Sequence, residues 1–262
     1  MISSRLRNLL DIAKRLPIPP RAGDGGLQTQ HAPWPLPQPS QQLVDELKSA
    51  FEQVMISDLS ITEKHLPLTR NKLAHLNPAK SPYGLPISYY PLLECSRFTL
   101  AVFAMPRGSI IPLHSHPEML VLSKMLYGSI NVDSYERLDD HLSDIPTSTS
   151  STSKQSIITN FKGRITMTPE NTTSLLSPRS VLHRFSSPEM PSAVLELLFP
   201  PYGQPGSSRY CTYYKEVSGG LPDQPITTLS PINVDDDFSC FYEQDIQPLQ
   251  DLHQYLTQQY SS

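Results

Sequence analysis

Proline recurs 27 times along these 262 residues, and each one fixes φ and removes a backbone donor, so a long uninterrupted helix has almost nowhere to run. Collagen and coiled-coil architectures are excluded. A membrane-spanning helix is excluded too, because no stretch approaches the roughly 20 consecutive apolar residues that a bilayer requires. The body must therefore be built from the short segments between prolines, glycines and Ser/Thr clusters, which is the pattern of antiparallel strands in a sandwich or barrel.

After about residue 87 these segments are Arg97 to Ala104, Met119 to Tyr127, Ser129 to Glu136, Ser156 to Asn160, Arg164 to Thr168, Ala193 to Phe199 and Arg209 to Val217. The expected fold is all-β with helical additions. One addition precedes the body: Leu43, Leu47, Ala50, Phe51, Val54 and Met55 form an apolar stripe at helical spacing, and Ser40 stands where an N-cap belongs. Residues 1–39 read as an N-terminal helix followed by a proline-rich linker that holds Trp34, and residues 40–262 as a single domain. A Ser/Thr-rich insert near 139–154 has no periodicity and is expected to be a mobile surface loop. A last short helix is expected after Pro248.

The net charge of −4 comes from 21 basic and 25 acidic residues. Without a basic block, a nucleic-acid partner is not expected. Three cysteines, Cys95, Cys211 and Cys240, are an odd set without a secretory apolar region, which points to a reducing, cytoplasmic setting. In residues 1–16, Ile2, Leu6, Leu9, Leu10, Ala13 and Leu16 share a helical face opposite Arg5, Arg7, Lys14 and Arg15. Two readings stay open: a helix docked on the body, or a mitochondrial import segment, against which Asp11 speaks.

Of eight histidines, His114 and His116 flank Ser115 in a β-like segment. On a strand, residues i and i+2 face the same side, about 6.6 Å apart, so two imidazoles can serve one metal. Pro117 tends to end the strand and would place the pair near a barrel mouth. His31, His65, His75, His141 and His253 have no partner at ligand spacing and are expected to be exposed or incidental. With Gly108 before the pair and Gly128 after it, the segment resembles the first motif of the cupin superfamily, whose glutamate position falls here on Val121. The stretch from Pro178 to His183 resembles the second cupin motif, with Ser180 in place of glycine. The resemblance implies a double-stranded β-helix, or jelly-roll barrel, with His183 as third metal ligand. Three neutral imidazoles without a carboxylate leave an Fe(II) ion its full charge, which favours an anionic, soft ligand such as a thiolate. Glu118 lies close to the pair but outside the glutamate position.

A narrower likeness follows. The segments from Ile111 to Met119 and Ser123 to Ser129, then Leu182-His183, Ala193 to Tyr202 and Arg209 to Tyr214, resemble the plant cysteine oxidase and animal 2-aminoethanethiol dioxygenase family. The likeness runs from the Ser40 helix to Asp237-Phe238-Ser239-Cys240, and the helix, insert and C-terminal segment favour the animal branch. It implies a monomeric, iron-dependent thiol dioxygenase without organic cofactor. Such an enzyme adds both atoms of O2 to cysteamine or to a protein's N-terminal cysteine, giving a sulfinic acid and linking protein lifetime to oxygen through the N-degron route. It further implies Fe(II) on His114, His116 and His183, with Tyr202 near the iron and Glu196 behind its ligands. Cys211 and Tyr213 are implied as a crosslinking pair, or else a buried thiol beside a core tyrosine. The family usually reads His-Asp-His-Pro-Gly, where this chain has Ser115 and Glu118, and has aspartate at Glu196. Sequence also leaves open a cupin that binds metal and regulates a partner without turnover.

Overall fold

Strand β9 (Ser192–Phe199) is buried at all eight positions, the mark of a strand covered on both faces. It lies inside a six-stranded sheet and is flanked by β2 (Thr99–Met105) and β4 (Leu120–Tyr127). Outside these stand β1 (Ile87–Glu94), β12 (Cys240–Tyr242) and β7 (Ser174–Leu176), giving the order β12-β1-β2-β9-β4-β7. The second sheet runs β10 (Tyr213–Ser218), β11 (Ile226–Ile232), β6 (Ile157–Met167), β5 (Ile130–Arg137), β8 (Val181–Ser186) and β3 (Ile110–Ser115), and it closes through β3 and β10. The closure is the pair Tyr213↔His114, supported by Ser115 N–H donating to Thr212 O at 3.0 Å. The barrel is thus sealed at one of the candidate metal ligands.

The computed structural model describes residues 2–18, 39–62, 81–138, 156–170, 174–176, 181–203, 210–218, 226–234, 240–242 and 247–260. Most of the linker with Trp34 and His31, the 139–154 insert with His141, His65, His75, Pro178 to Ser180, Arg209 and residues 237–239 lie outside the described residues.

Alternation along β9 separates two environments. Leu195, Leu197 and Phe199 join a core shared with the helices, while Val194 joins the barrel interior with Ile111, Val132 and Phe185. Among the described residues three α-helices build the outer layer: α1 (Ser4–Ala13), α2 (Gln41–Glu52) and α3 (Gln247–Tyr260). Ser40 caps α2 by accepting from Leu43 N–H. Because α2 ends at Glu52, Met55 leaves the predicted stripe and is 51% exposed, whereas Val54 stays buried. The last helix spans 14 residues, longer than its sequence suggested, because Pro248 sits in the first turn, where no intrahelical N–H is needed. The segments from Ser156 and from Arg164 form one strand, β6, with an irregular register opposite Ser134 and Tyr135.

Gly128, between β4 and β5, has φ +77°, and a Cβ there would lie 2.5 Å from Pro191 O. Only glycine avoids both the left-handed penalty and that clash.

Candidate metal centre

Strand β3 ends at Ser115, so His116 is the first residue of a turn rather than a strand partner of His114. The turn closes with Met119 N–H donating to His116 O at 3.2 Å. Pro117 and Glu118 occupy its middle, and Glu118 sits at φ +62°. Glycine is the usual residue for that conformation, and a glutamate there costs about 1–2 kcal/mol.

The turn brings three imidazoles to one point inside the barrel. His116 Nε2 lies 3.0 Å from His114 Nε2 and 2.9 Å from His183 Nε2. His183 comes from β8, where it pairs across the sheet with His114 on one side and Ser134 on the other. All three rings are buried. His114 Nδ1 is 2.8 Å from Pro112 O, and since a carbonyl only accepts, that nitrogen carries the proton and Nε2 presents its lone pair. Lone pairs converging at such distances call for a cation between them. Nitrogens about 2.1 Å from a metal lie about 3.0 Å apart at right angles and about 3.4 Å apart in a tetrahedron. The two short edges therefore suit a six-coordinate ion with open positions. Among the described residues no carboxylate joins the cluster, and Glu118 is not part of it. Val121, at the glutamate position of the cupin motif, is packed with Met119, Leu198 and Tyr202 instead.

The wall around the triad holds Tyr202 and Tyr213, with Cys211 beside them. Tyr202 follows the two prolines after β9, stacks on the His116 ring with centroids 5.5 Å apart, and places its hydroxyl 2.8 Å from His116 Nδ1. Tyr213 lies 5.9 Å from the His114 ring, centroid to centroid. Cys211 is partly buried, and that burial pushes its thiol up to about 11, opposed by hydrogen bonds with Tyr202 and Tyr213. Ser115 turns away from the triad, its Oγ accepting from Thr212 N–H at 3.3 Å. Glu196 has the inward parity of β9 and is 4% exposed. The Ser123 hydroxyl donates to its Oε1 at 2.7 Å, a pairing set by the register Ser123↔Glu196. Sequence reasoning gave Ser123 no role, and only the β4 to β9 register reveals one. His253 is half-buried rather than exposed, and Cys95 donates from Sγ to Phe98 O at 3.4 Å at the edge of the outer core.

Burial keeps the triad neutral. It lowers His114 to about 4 and holds His116 and His183 well below the ordinary range, with the neighbouring rings adding to the effect. Burial raises Glu196 to about 7, against the Ser123 hydrogen bond. The two shifts act on stability with opposite sign. A depressed histidine contributes stability above pH 6.5 that is lost as pH falls towards 4, whereas a raised carboxyl contributes stability below 4.5 that is lost as pH rises through 7. From pH 7 to pH 5 His114 and Glu196 are each worth about 2 kcal/mol, and the other two rings act in the same direction as His114, so the rings outweigh the one carboxyl. Chelator-treated protein is expected to lose stability over that window, and Glu196→Gln to steepen the loss by about 2 kcal/mol. Urea unfolding at several pH values measures it, and parallel profiles for the two proteins would remove Glu196 from the account.

A jelly roll whose interior brings three buried, neutral imidazoles to one point defines a cupin metalloprotein. The PCO_ADO family matches residues 50–242, and the chain belongs to that family, the plant cysteine oxidase and 2-aminoethanethiol dioxygenase family its motifs resemble. It is 37% identical over 213 residues to a probable 2-aminoethanethiol dioxygenase of Dictyostelium discoideum, covering 80% of this chain and 86% of that one. It is 31% identical to 2-aminoethanethiol dioxygenase of Mus musculus, over 68% of this chain and 73% of that one. With plant cysteine oxidase 2 of Arabidopsis thaliana the identity is 30%, over 67% of this chain and 58% of the relative. Among solved structures it is similar to the Cnp3 cupin domain of Schizosaccharomyces pombe, with 13% identity and a TM-score of 0.30, over 43% of this chain and 63% of that one.

Proposed function

We propose that this protein is an iron-dependent thiol dioxygenase that converts the thiol of cysteamine, or of a protein's N-terminal cysteine, into a sulfinic acid. The observation that carries the reading is the set of three buried neutral histidines with an apolar residue, Val121, where a fourth, anionic ligand would stand. His114, His116 and His183 would hold Fe(II), which supplies thiolate binding and the activation of O2. One O2 is consumed per thiol and both atoms end on sulfur, so no external reductant is needed.

This chain's own residues shape the rest. Neutral ligands leave the charge of the site unmet, so a substrate thiol entering it is stabilised as thiolate. Glu196, buried with the inward parity of β9 and held by Ser123 at 2.7 Å, offers a carboxyl on the interior side of that strand for orienting a substrate amine. Val121, Met119 and Leu198 form a dry wall, which excludes water from the reacting sulfur. An enzyme of this kind acting on N-terminal cysteines would tie protein lifetime to oxygen supply.

Anaerobic Fe(II) loading followed by exposure to 18O2 with cysteamine or a Cys-initiating peptide tests the reading. Mass spectrometry is expected to find two labelled oxygens on sulfur. Stoichiometric iron with no label on either thiol would leave a metal-binding cupin without turnover as the better description.

A further inference from the structure

Two of the three rings have an outer nitrogen with a partner, and the partners differ in kind. For His114 it is the backbone carbonyl of Pro112 at 2.8 Å, which no side-chain substitution can delete. For His116 it is the Tyr202 hydroxyl at 2.8 Å. That hydroxyl also lies 3.0 Å from Ser115 O, and a carbonyl only accepts, so the single phenolic proton goes to Ser115 O. The contact with His116 must then run the other way, with Nδ1–H donating to the phenolic oxygen. This leaves the Nε2 lone pair aimed at His114 and His183. The Cys211 thiol is a further hydrogen-bonding neighbour of that hydroxyl, so the phenolic oxygen is enclosed by partners within the protein.

We propose that Tyr202 is a positioning residue for His116: it fixes the ring's tautomer and orientation for metal binding, and it acts on the reaction through that ligand rather than by contact with substrate. The stacking of the two rings, tilted by 28°, and the anchor to Ser115, the residue just before His116, hold the phenol against the imidazole from two directions. A metal ligand on a turn, outside the strand ladder, needs such an anchor more than His183, which is paired on both sides. The proposal rests on the reading of the triad as a metal site.

Tyr202→Phe keeps the stacked ring and deletes only the hydroxyl. Titration with Fe(II) or Zn(II) alone, in competition with a chelator, is expected to show affinity lower by about 10–100-fold, the usual cost of losing such an outer partner. In the zinc-loaded protein, followed by histidine-ring NMR, the His116 Nδ1 proton is expected to exchange slowly in the wild type and rapidly in the variant. Metal-free melting curves report whether the variant folds. If it does not, difluorotyrosine at position 202, which keeps the shape but weakens the oxygen as an acceptor, is expected to lower affinity by a smaller factor. Unchanged affinity with a protected Nδ1 proton, and a raised KM for thiol instead, would overturn the proposal and return Tyr202 to the substrate. A wild-type protein that binds no metal would overturn the reading of the triad itself.

Discussion

His183→Ala is expected to abolish metal binding and turnover together. His183 Nε2 stands 2.9 Å from His116 Nε2, and the ring is fully enclosed between β3 and β5, so neither bulk water nor a neighbouring side chain can take its place. With two imidazoles left, affinity is expected to fall by more than the roughly 10–100-fold that loss of an outer partner costs. The barrel survives the change because its strands are held by backbone hydrogen bonds. A bound metal at about 1,000 times its Kd stabilises the fold by about 4 kcal/mol, and that metal-dependent rise in melting temperature is expected to vanish. The metal-free variant is expected to tolerate acid better than the metal-free wild type, since one buried neutral ring is gone. Metal content by mass spectrometry, melting with and without Fe(II), and oxygen uptake are the measurements. Full metal content or retained turnover would take His183 out of the centre.

The convergence of His114 and His116 follows from their place in one short segment, although strand parity alone would put both on one strand. The chain instead turns at Pro117, and the turn, not strand parity, swings His116 inward. His183 is 67 residues away from His116 and was reachable only through a family motif. What sequence could not show is whatever depends on register. Ser123 meets Glu196 because β4 and β9 align at that pair, and β10 closes on β3 at His114; neither follows from local patterning. The same holds for Asp133, buried on β5 and gripped by Arg164 from β6 and Arg184 from β8. Strand boundaries from alternation fell within a few residues where both flanks carried breakers, as at Ala193 to Phe199. They failed where a glycine such as Gly163, at φ +112°, bends a strand without ending it.

Removal of residues 1–16 is expected to unfold the protein or leave it insoluble. Leu6, Leu9, Leu10, Ala13 and Leu16 are fully buried in the same core as Leu47 and Phe51 of α2 and Leu195 and Leu197 of β9. Burying each leucine is worth about 1.5–3 kcal/mol, so four of them contribute about 6–12 kcal/mol, comparable with the whole stability of an ordinary domain, about 5–15 kcal/mol. Polar ties add to the loss. Arg5 pairs with the buried Asp58 at 3.0 Å, and an unpaired buried carboxylate is costly. Arg97 donates to Leu16 O at 2.8 Å. The damage would reach the site, because the β9 residues resting on this core, Leu195 and Leu197, flank Glu196 on either side. Leu10→Ala is the graded form of the experiment, expected to cost about 2–5 kcal/mol by leaving a cavity, while Asn8→Ala, on the outer side of the helix, is expected to cost almost nothing. Chemical denaturation of the point variants, and solubility and circular dichroism of the truncated chain, decide the matter. A dispensable targeting segment would leave the truncated protein with the melting temperature and metal content of the full chain, whereas a helix that completes the core would not.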